Sequence, residues 1–181
     1  MIAGAPRDRQ GEADNGAARL AVVCLNPPSS STGSRTLGGV RRLADGLGIN
    51  DTLTVNLLDV PSQSFDDFPT VGADELRWRS SREHLASSLE MLRPERDVVV
   101  AAWGLSKFRE PSRSLLSSQI RWLVLFLDSE GWSQMHTFGG RPRHPSRWHQ
   151  YVSDKYGRFS EFEPSERYAA ALTSGRLSEL L

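Results

Sequence analysis

Asn26 stands where an apolar run, Leu20 to Leu25, ends against two prolines. An Asn at the carboxyl end of a strand carries one acceptor oxygen and two donor hydrogens. It can orient a water or bind the polar edge of a ligand. Pro27 and Pro28 remove backbone donors and stiffen the turn that presents it. A plainer reading stands beside this one, an Asn that closes the turn on nearby backbone. Ser29, Ser30, Ser31, Thr32, Gly33, Ser34 and Arg35 follow and run into a helical pattern. Hydroxyls, free amides and a helix N-terminus suit an anion. No Gly-Lys-Ser/Thr follows, so this is not a P-loop, and a plain Ser-rich loop is the alternative.

Asn56 interrupts a run otherwise made of Thr, Val and Leu. A buried amide must find partners, because leaving it unpaired costs roughly 1 to 3 kcal/mol. The partner is either neighbouring backbone or a ligand, and an Asn amide matches the donor–acceptor edge of a nucleobase. His144 sits in the most basic stretch of the chain, between Arg141, Arg143 and Arg147. Such a loop can hold phosphate or a developing anion, or it is simply a solvated basic loop. A His among cations titrates low and serves as a neutral hydrogen-bond donor. Trp103, at another strand end, offers a stacking surface, with core packing as the default. Asp66 and Asp67 read as solvated rather than catalytic. His136, His144 and His149 match no standard zinc spacing, so no metal site is expected. There is no G-x-S-x-G and no dinucleotide fingerprint, and no cofactor is called for.

These residues need elements to position them. Residues 1–18 mix Gly, Pro, Asp and Arg without periodicity and read as a disordered leader. Residues 19–181 read as one α/β domain. Strands are expected over 20–26, 52–60, 97–104 and, more weakly, 133–140. Helices are expected from Thr36 to Leu47 with a stripe of Leu37, Val40, Ala44 and Leu47, over 73–92, and from Pro111 to Gly131. The last of these has its stripe at Leu116, Ile120, Leu123 and Leu127. Two short helices are expected near 146–156 and 164–180. Alternating strands and helices predict a three-layer sandwich with a central, mainly parallel, four-stranded sheet. Ligands on such sheets bind beyond the carboxyl ends of the strands, where Asn26, Asn56, Trp103 and His144 all fall.

Bulk properties exclude several classes. The 22 Lys and Arg balance the 22 Asp and Glu, so global charge gives no case for a nucleic-acid binder and leaves only a local basic patch. The single cysteine, Cys24, cannot form a disulfide framework within the chain and reads as a small buried hydrophobe. No apolar run approaches the roughly 18 residues of a membrane span. With no apolar signal core, a cytoplasmic setting without membrane partners is expected.

Two resemblances follow from the motifs in order. "LNPPSSSTGSRTLGGVRRLADGLGI", "TVNLLDV", "VVVAAWG" and "GRPRHP" resemble a bacterial family, domain of unknown function one-six-four-three, over about residues 20–148. That family brings no settled activity. More distantly, the same order is similar to the uracil-DNA glycosylase superfamily, which implies a four-stranded, mainly parallel sheet between helices. Leu25-Asn26-Pro27 matches its G-x-N-P motif without the leading Gly, and the resemblance implies that Asn26 positions the attacking water. Asn56 takes the place of the Asn that reads the pyrimidine edge. His144-Pro145-Ser146 matches the H-P-S motif whose His supports charge on the leaving base. The departures are Arg147-Trp148 in place of a short apolar wedge, and no identified stacking aromatic beyond Phe65 and Phe68. The expected ligand is a nucleobase or nucleotide, or nucleic acid. The activity is cleavage of an N-glycosidic bond or, alternatively, binding without turnover. Asn26 and His144 are the expected catalytic residues. Pro27, Ser29, Ser30, Arg35, Asn56, Trp103, Arg141, Arg143 and Ser146 are expected to bind substrate.

Overall fold

The computed structural model describes residues 16–27, 33–61, 72–104 and 108–180. Most of the leader, Ser29 and Ser30, and the loop carrying Phe65, Asp66, Asp67 and Phe68 lie outside the described residues. Strand β1 (Arg19–Cys24) pairs in parallel with β2 (Asp51–Asn56) on one side and β3 (Val98–Ala101) on the other. Strand β4 (Gln134–Phe138) adds to β3 in parallel, and β5 (Leu172–Arg176) adds to β4 antiparallel. The order is β2-β1-β3-β4-β5.

After Arg19, β1 is apolar from Leu20 to Cys24 because both of its faces are covered there. Leu20, Val22 and Cys24 join one core, and Ala21, Val23 and Leu25 the other. Helix α1 (Gly33–Leu47) covers the first face, with the short helices α4 (Trp148–Tyr151) and α5 (Arg167–Ala170). Helices α2 (Glu75–Leu89) and α3 (Ser112–Ser129) cover the second. Asp74 caps α2, its Oδ1 accepting from the backbone N–H groups of Leu76 (3.0 Å) and Arg77 (3.4 Å). Gly131, at φ +88°, closes α3 in the left-handed conformation that glycine favours.

Polar ties fix both ends of the sheet. At the amino end, the buried Asp97 carboxylate accepts from the backbone N–H of Arg19 (3.0 Å) and of Arg93 (2.8 Å) and pairs with Arg96 (2.8 Å). Burial alone would raise its pKa, but these donors outweigh burial and hold it below the usual value. At the carboxyl end, Gln119 of α3 is fully buried. Its amide donates to the Leu57 carbonyl (2.8 Å) and accepts from Arg82 of α2 (2.9 Å). The Ser81 hydroxyl accepts from the Asp59 N–H (2.8 Å). Both helices of the second face thus grip the chain just after Asn56.

The structure corrects four expectations. The sheet has five strands, not four. The extra strand, β5, follows the short helix α5 within the segment where a helix is expected near 164–180; its Thr-Ser-Gly centre has little helical propensity and pairs with β4. The expected helix near 146–156 is instead a 3₁₀ turn (Pro145–Arg147), α4 and a second 3₁₀ turn (Asp154–Tyr156). β2 stops at Asn56, although Leu57 and Leu58 stay buried and still donate to the Cys24 and Leu25 carbonyls (both 2.9 Å). On α1 the inward stripe is Thr36, Val40, Leu43 and Ala44, while Leu37 is 59% exposed. Either phase of the 3.6-residue period fits that segment, and tertiary packing chose the one that turns Gly39 inward.

Candidate functional site

The four parallel strands run the same way, so their carboxyl ends share one edge of the sheet. In register, Asn56 lies beside Cys24. Parallel partners project to the same side, so Asn56 belongs to the face that α1 covers. Asn26 follows Cys24 by two residues at the same edge, and its Nδ2 donates to the Pro27 carbonyl (3.2 Å), which fixes the plane of the amide. α1 opens at Gly33 on this edge, with Arg35 exposed in its first turn.

The loop after β4 reaches the same place by a chain of backbone contacts. Gly139 and Gly140 both have positive φ (64° and 72°) and turn the chain out of β4. The Arg141 carbonyl accepts from the N–H groups of Phe138 (3.2 Å) and Arg143 (2.7 Å). The Pro142 carbonyl accepts from Gly104 N–H (2.6 Å), tying the loop to the exit of β3. Trp148 is fully buried, stacks on Phe138 (centroids 4.6 Å apart) and donates from Nε1 to the Arg143 carbonyl (2.7 Å). Across the sheet face, a Cβ on Gly39 of α1 would stand 2.6 Å from the Pro145 carbonyl oxygen. The His144-Pro145-Ser146 turn is therefore clamped between the sheet edge and α1.

His144 caps the 3₁₀ turn. Its Nδ1 lies 2.9 Å from the Ser146 hydroxyl and accepts from the Ser146 backbone N–H (3.4 Å). A ring nitrogen that accepts in this way leaves the proton of the neutral imidazole on Nε2. Burial, and then the nearby Arg147 charge, lower the His144 pKa from its ordinary 6.5. His144 is therefore neutral at pH 7, with Nε2–H as a donor. Burial also pushes the Cys24 thiol up to about 12, which makes it inert.

Among the described residues, two buried side-chain polar atoms lack a hydrogen-bond partner, Asn56 Oδ1 and Arg143 Nε. Both belong to residues singled out from the sequence, and both lie at this edge. Ser146 supports the His144 ring. Arg141 is exposed. Trp103 is 5% exposed and packs in the core shared with α2 and α3. Sequence reasoning missed Gly39 and Gly139 as positioning residues, and Tyr151, on which Arg143 stacks with its guanidinium carbon 4.6 Å from the ring centroid. Arg158 stacks on the same ring (4.7 Å). The only sequence signal for these was the Gly-Gly pair and the basic character of the loop.

Among the described residues no group of three or more His, Cys, Asp or Glu side chains could hold a metal ion. No described helix is long and apolar enough to cross a membrane. No curated protein and no solved structure matches the chain. One family profile, described as a protein of unknown function (DUF1643), matches residues 8–146, starting upstream of β1 and ending within the His144 turn. That span holds the four parallel strands, Asn26, Asn56 and His144, and the chain belongs to this family.

Proposed function

We propose that the protein recognises a nucleobase, free or within a nucleotide, at the carboxyl edge of its parallel sheet, and that it hydrolyses an N-glycosidic bond there. The observation that carries the reading is the Asn56 carbonyl oxygen, buried at a strand exit without a partner. An unmet acceptor of this kind costs about 1 to 3 kcal/mol, which a ligand N–H would recover. A base edge offering an N–H beside an acceptor satisfies both ends of the Asn56 amide. Asn26 would hold the attacking water, and the neutral His144 Nε2–H would stabilise negative charge on the departing base. Four mutually parallel strands between helices support the glycosylase-like reading of the fold, with β5 as an addition at one edge.

A second reading is a binding module without turnover. It is favoured by the residue type at position 26, since an amide orients water but cannot take its proton. The experiment is a thermal-shift screen of bases, nucleosides, nucleotides and oligonucleotides, run on the wild type and on Asn56→Ala side by side. One ligand should stabilise the wild type and lose its effect in Asn56→Ala. No response to any of them would sink the base-recognition reading. With the ligand in hand, product formation that disappears in Asn26→Ala while binding persists identifies hydrolysis, and binding without product identifies the module.

A further inference from the structure

Arg143 and Arg158 come from different segments, the loop after β4 and the turn after the 3₁₀ helix at Asp154–Tyr156, yet both guanidinium groups lie over one ring, Tyr151 (4.6 and 4.7 Å). The arrangement is built rather than incidental. Tyr151 rests on Gly139, where a Cβ would stand 2.3 Å from the ring carbon Cζ and where φ is +64°. Phe138 and Phe159 hold the other edges of the ring (both 5.8 Å). Two cations on one ring repel each other, and a nearby carboxylate would usually compensate. Among the described residues neither guanidinium forms an ion pair. Of the two acidic residues nearest to Arg158 in sequence, Asp154 is taken by Arg167, and Glu161 forms no ion pair with either guanidinium among the described residues. Arg143 Nε is moreover buried without a partner. A buried, unpaired donor on Arg143 beside the exposed guanidinium of Arg158 favours an oxyanion with several acceptor oxygens.

We propose that Arg143 and Arg158, stacked on Tyr151, form a phosphoryl subsite next to the His144 turn, so that the ligand of this protein is phosphorylated rather than a free base or nucleoside. The inference deepens the base-recognition reading and rests on it for the rest of the ligand. The subsite itself takes a phosphoryl group from either a free nucleotide or a strand backbone.

The test uses Arg158→Gln, at an exposed position, beside the wild type and Tyr151→Phe, which keeps the ring. Inorganic pyrophosphate, a nucleoside, its monophosphate and a short single-stranded oligonucleotide are titrated at constant ionic strength. The wild type and Tyr151→Phe should bind pyrophosphate, and should bind the phosphorylated ligand about tenfold or more tightly than the nucleoside. Arg158→Gln should remove that preference and leave nucleoside affinity unchanged. Whether the monophosphate or the oligonucleotide shows the larger Arg158-dependent gain tells which source supplies the phosphoryl group. Equal affinity for nucleoside and nucleotide, or pyrophosphate binding untouched by Arg158→Gln, would overturn the subsite while leaving base recognition standing. Pyrophosphate binding that depends on Arg158, with no nucleoside binding at all, would keep the subsite and remove the base reading.

Discussion

At the scale of single residues, His144 shows how environment sets chemistry. Its neighbours hold it neutral, and its Nδ1 contacts with Ser146 put the ring proton on Nε2. His136 in β4 is also shifted down, by burial that outweighs a bond with the Val99 backbone. In the unfolded chain both titrate near 6.5. Between that value and the lower folded one, the unfolded state binds more protons than the folded state. The stability they supply is therefore complete above 6.5 and is lost as pH falls below it. Urea unfolding at about pH 7.5 and about 5.5 should show lower stability at the acid value. The double variant His136→Gln/His144→Gln should flatten that slope, and an unchanged slope would assign the acid sensitivity elsewhere. Asn26 and Asn56 stand out in the sequence because a polar residue ending or interrupting an apolar run is conspicuous, and His144 because it sits in the most basic stretch of the chain. Arg158 does not, since nothing in "DKYGRFS" says that its guanidinium returns to a ring seven residues earlier.

At the scale of elements, two adjacent glycines of α1 do different things. A Cβ on Gly38 would meet only the flexible end of Arg42 (3.8 Å), whereas one on Gly39 would strike the Pro145 backbone (2.6 Å to O, 3.1 Å to C). Gly38→Ala should raise stability by about 0.5 to 1 kcal/mol through helix propensity alone. Gly39→Ala gains the same propensity but meets overpacking that costs about 1 to 3 kcal/mol. It should lose about 1 kcal/mol net, and the displaced His144 turn should weaken ligand binding about tenfold. Urea unfolding and titration of whichever ligand stabilises the wild type separate the two effects. Unchanged affinity in Gly39→Ala would show that the position of the turn does not matter. The sequence predicted α1 as a helix, but the two glycines look alike until the 145 turn is packed against one of them.

At the scale of the whole molecule, the four strands that carry the site end at β4, and β5 is what protects it. β5 closes the β4 edge and leads into Leu177, which is 5% exposed and packs in the core with Met135 and Leu127. Removing residues 172–181 would bare the hydrogen-bonding edge of β4 and uncover part of that core. Such a chain should melt well below the full-length protein or aggregate, and melting at the same temperature would make β5 dispensable. Leu177→Ala alone should cost about 2 to 4 kcal/mol in urea unfolding. The balanced net charge of the chain also takes on meaning only at this scale. The cations of the 141–158 region are set against the acids elsewhere, so a neutral molecule carries a basic corner beside its candidate site.

By itself the sequence determined the alternation of strands and helices, the parallel core, and the strand exits where polar residues gather. Those properties are local, written in apolar runs, helical periods and prolines that read the same in any tertiary setting. Tertiary structure alone decided the fifth strand, the phase of α1 and the clamp on the His144 turn. It also decided the pairing of Arg143 with Arg158 over Tyr151, and the unmet oxygen of Asn56. Each of these depends on contacts between segments far apart in the chain. "LTSGR" becomes a strand only when the β4 edge is there to pair with it, and a buried amide is unsatisfied only when every neighbour has been placed.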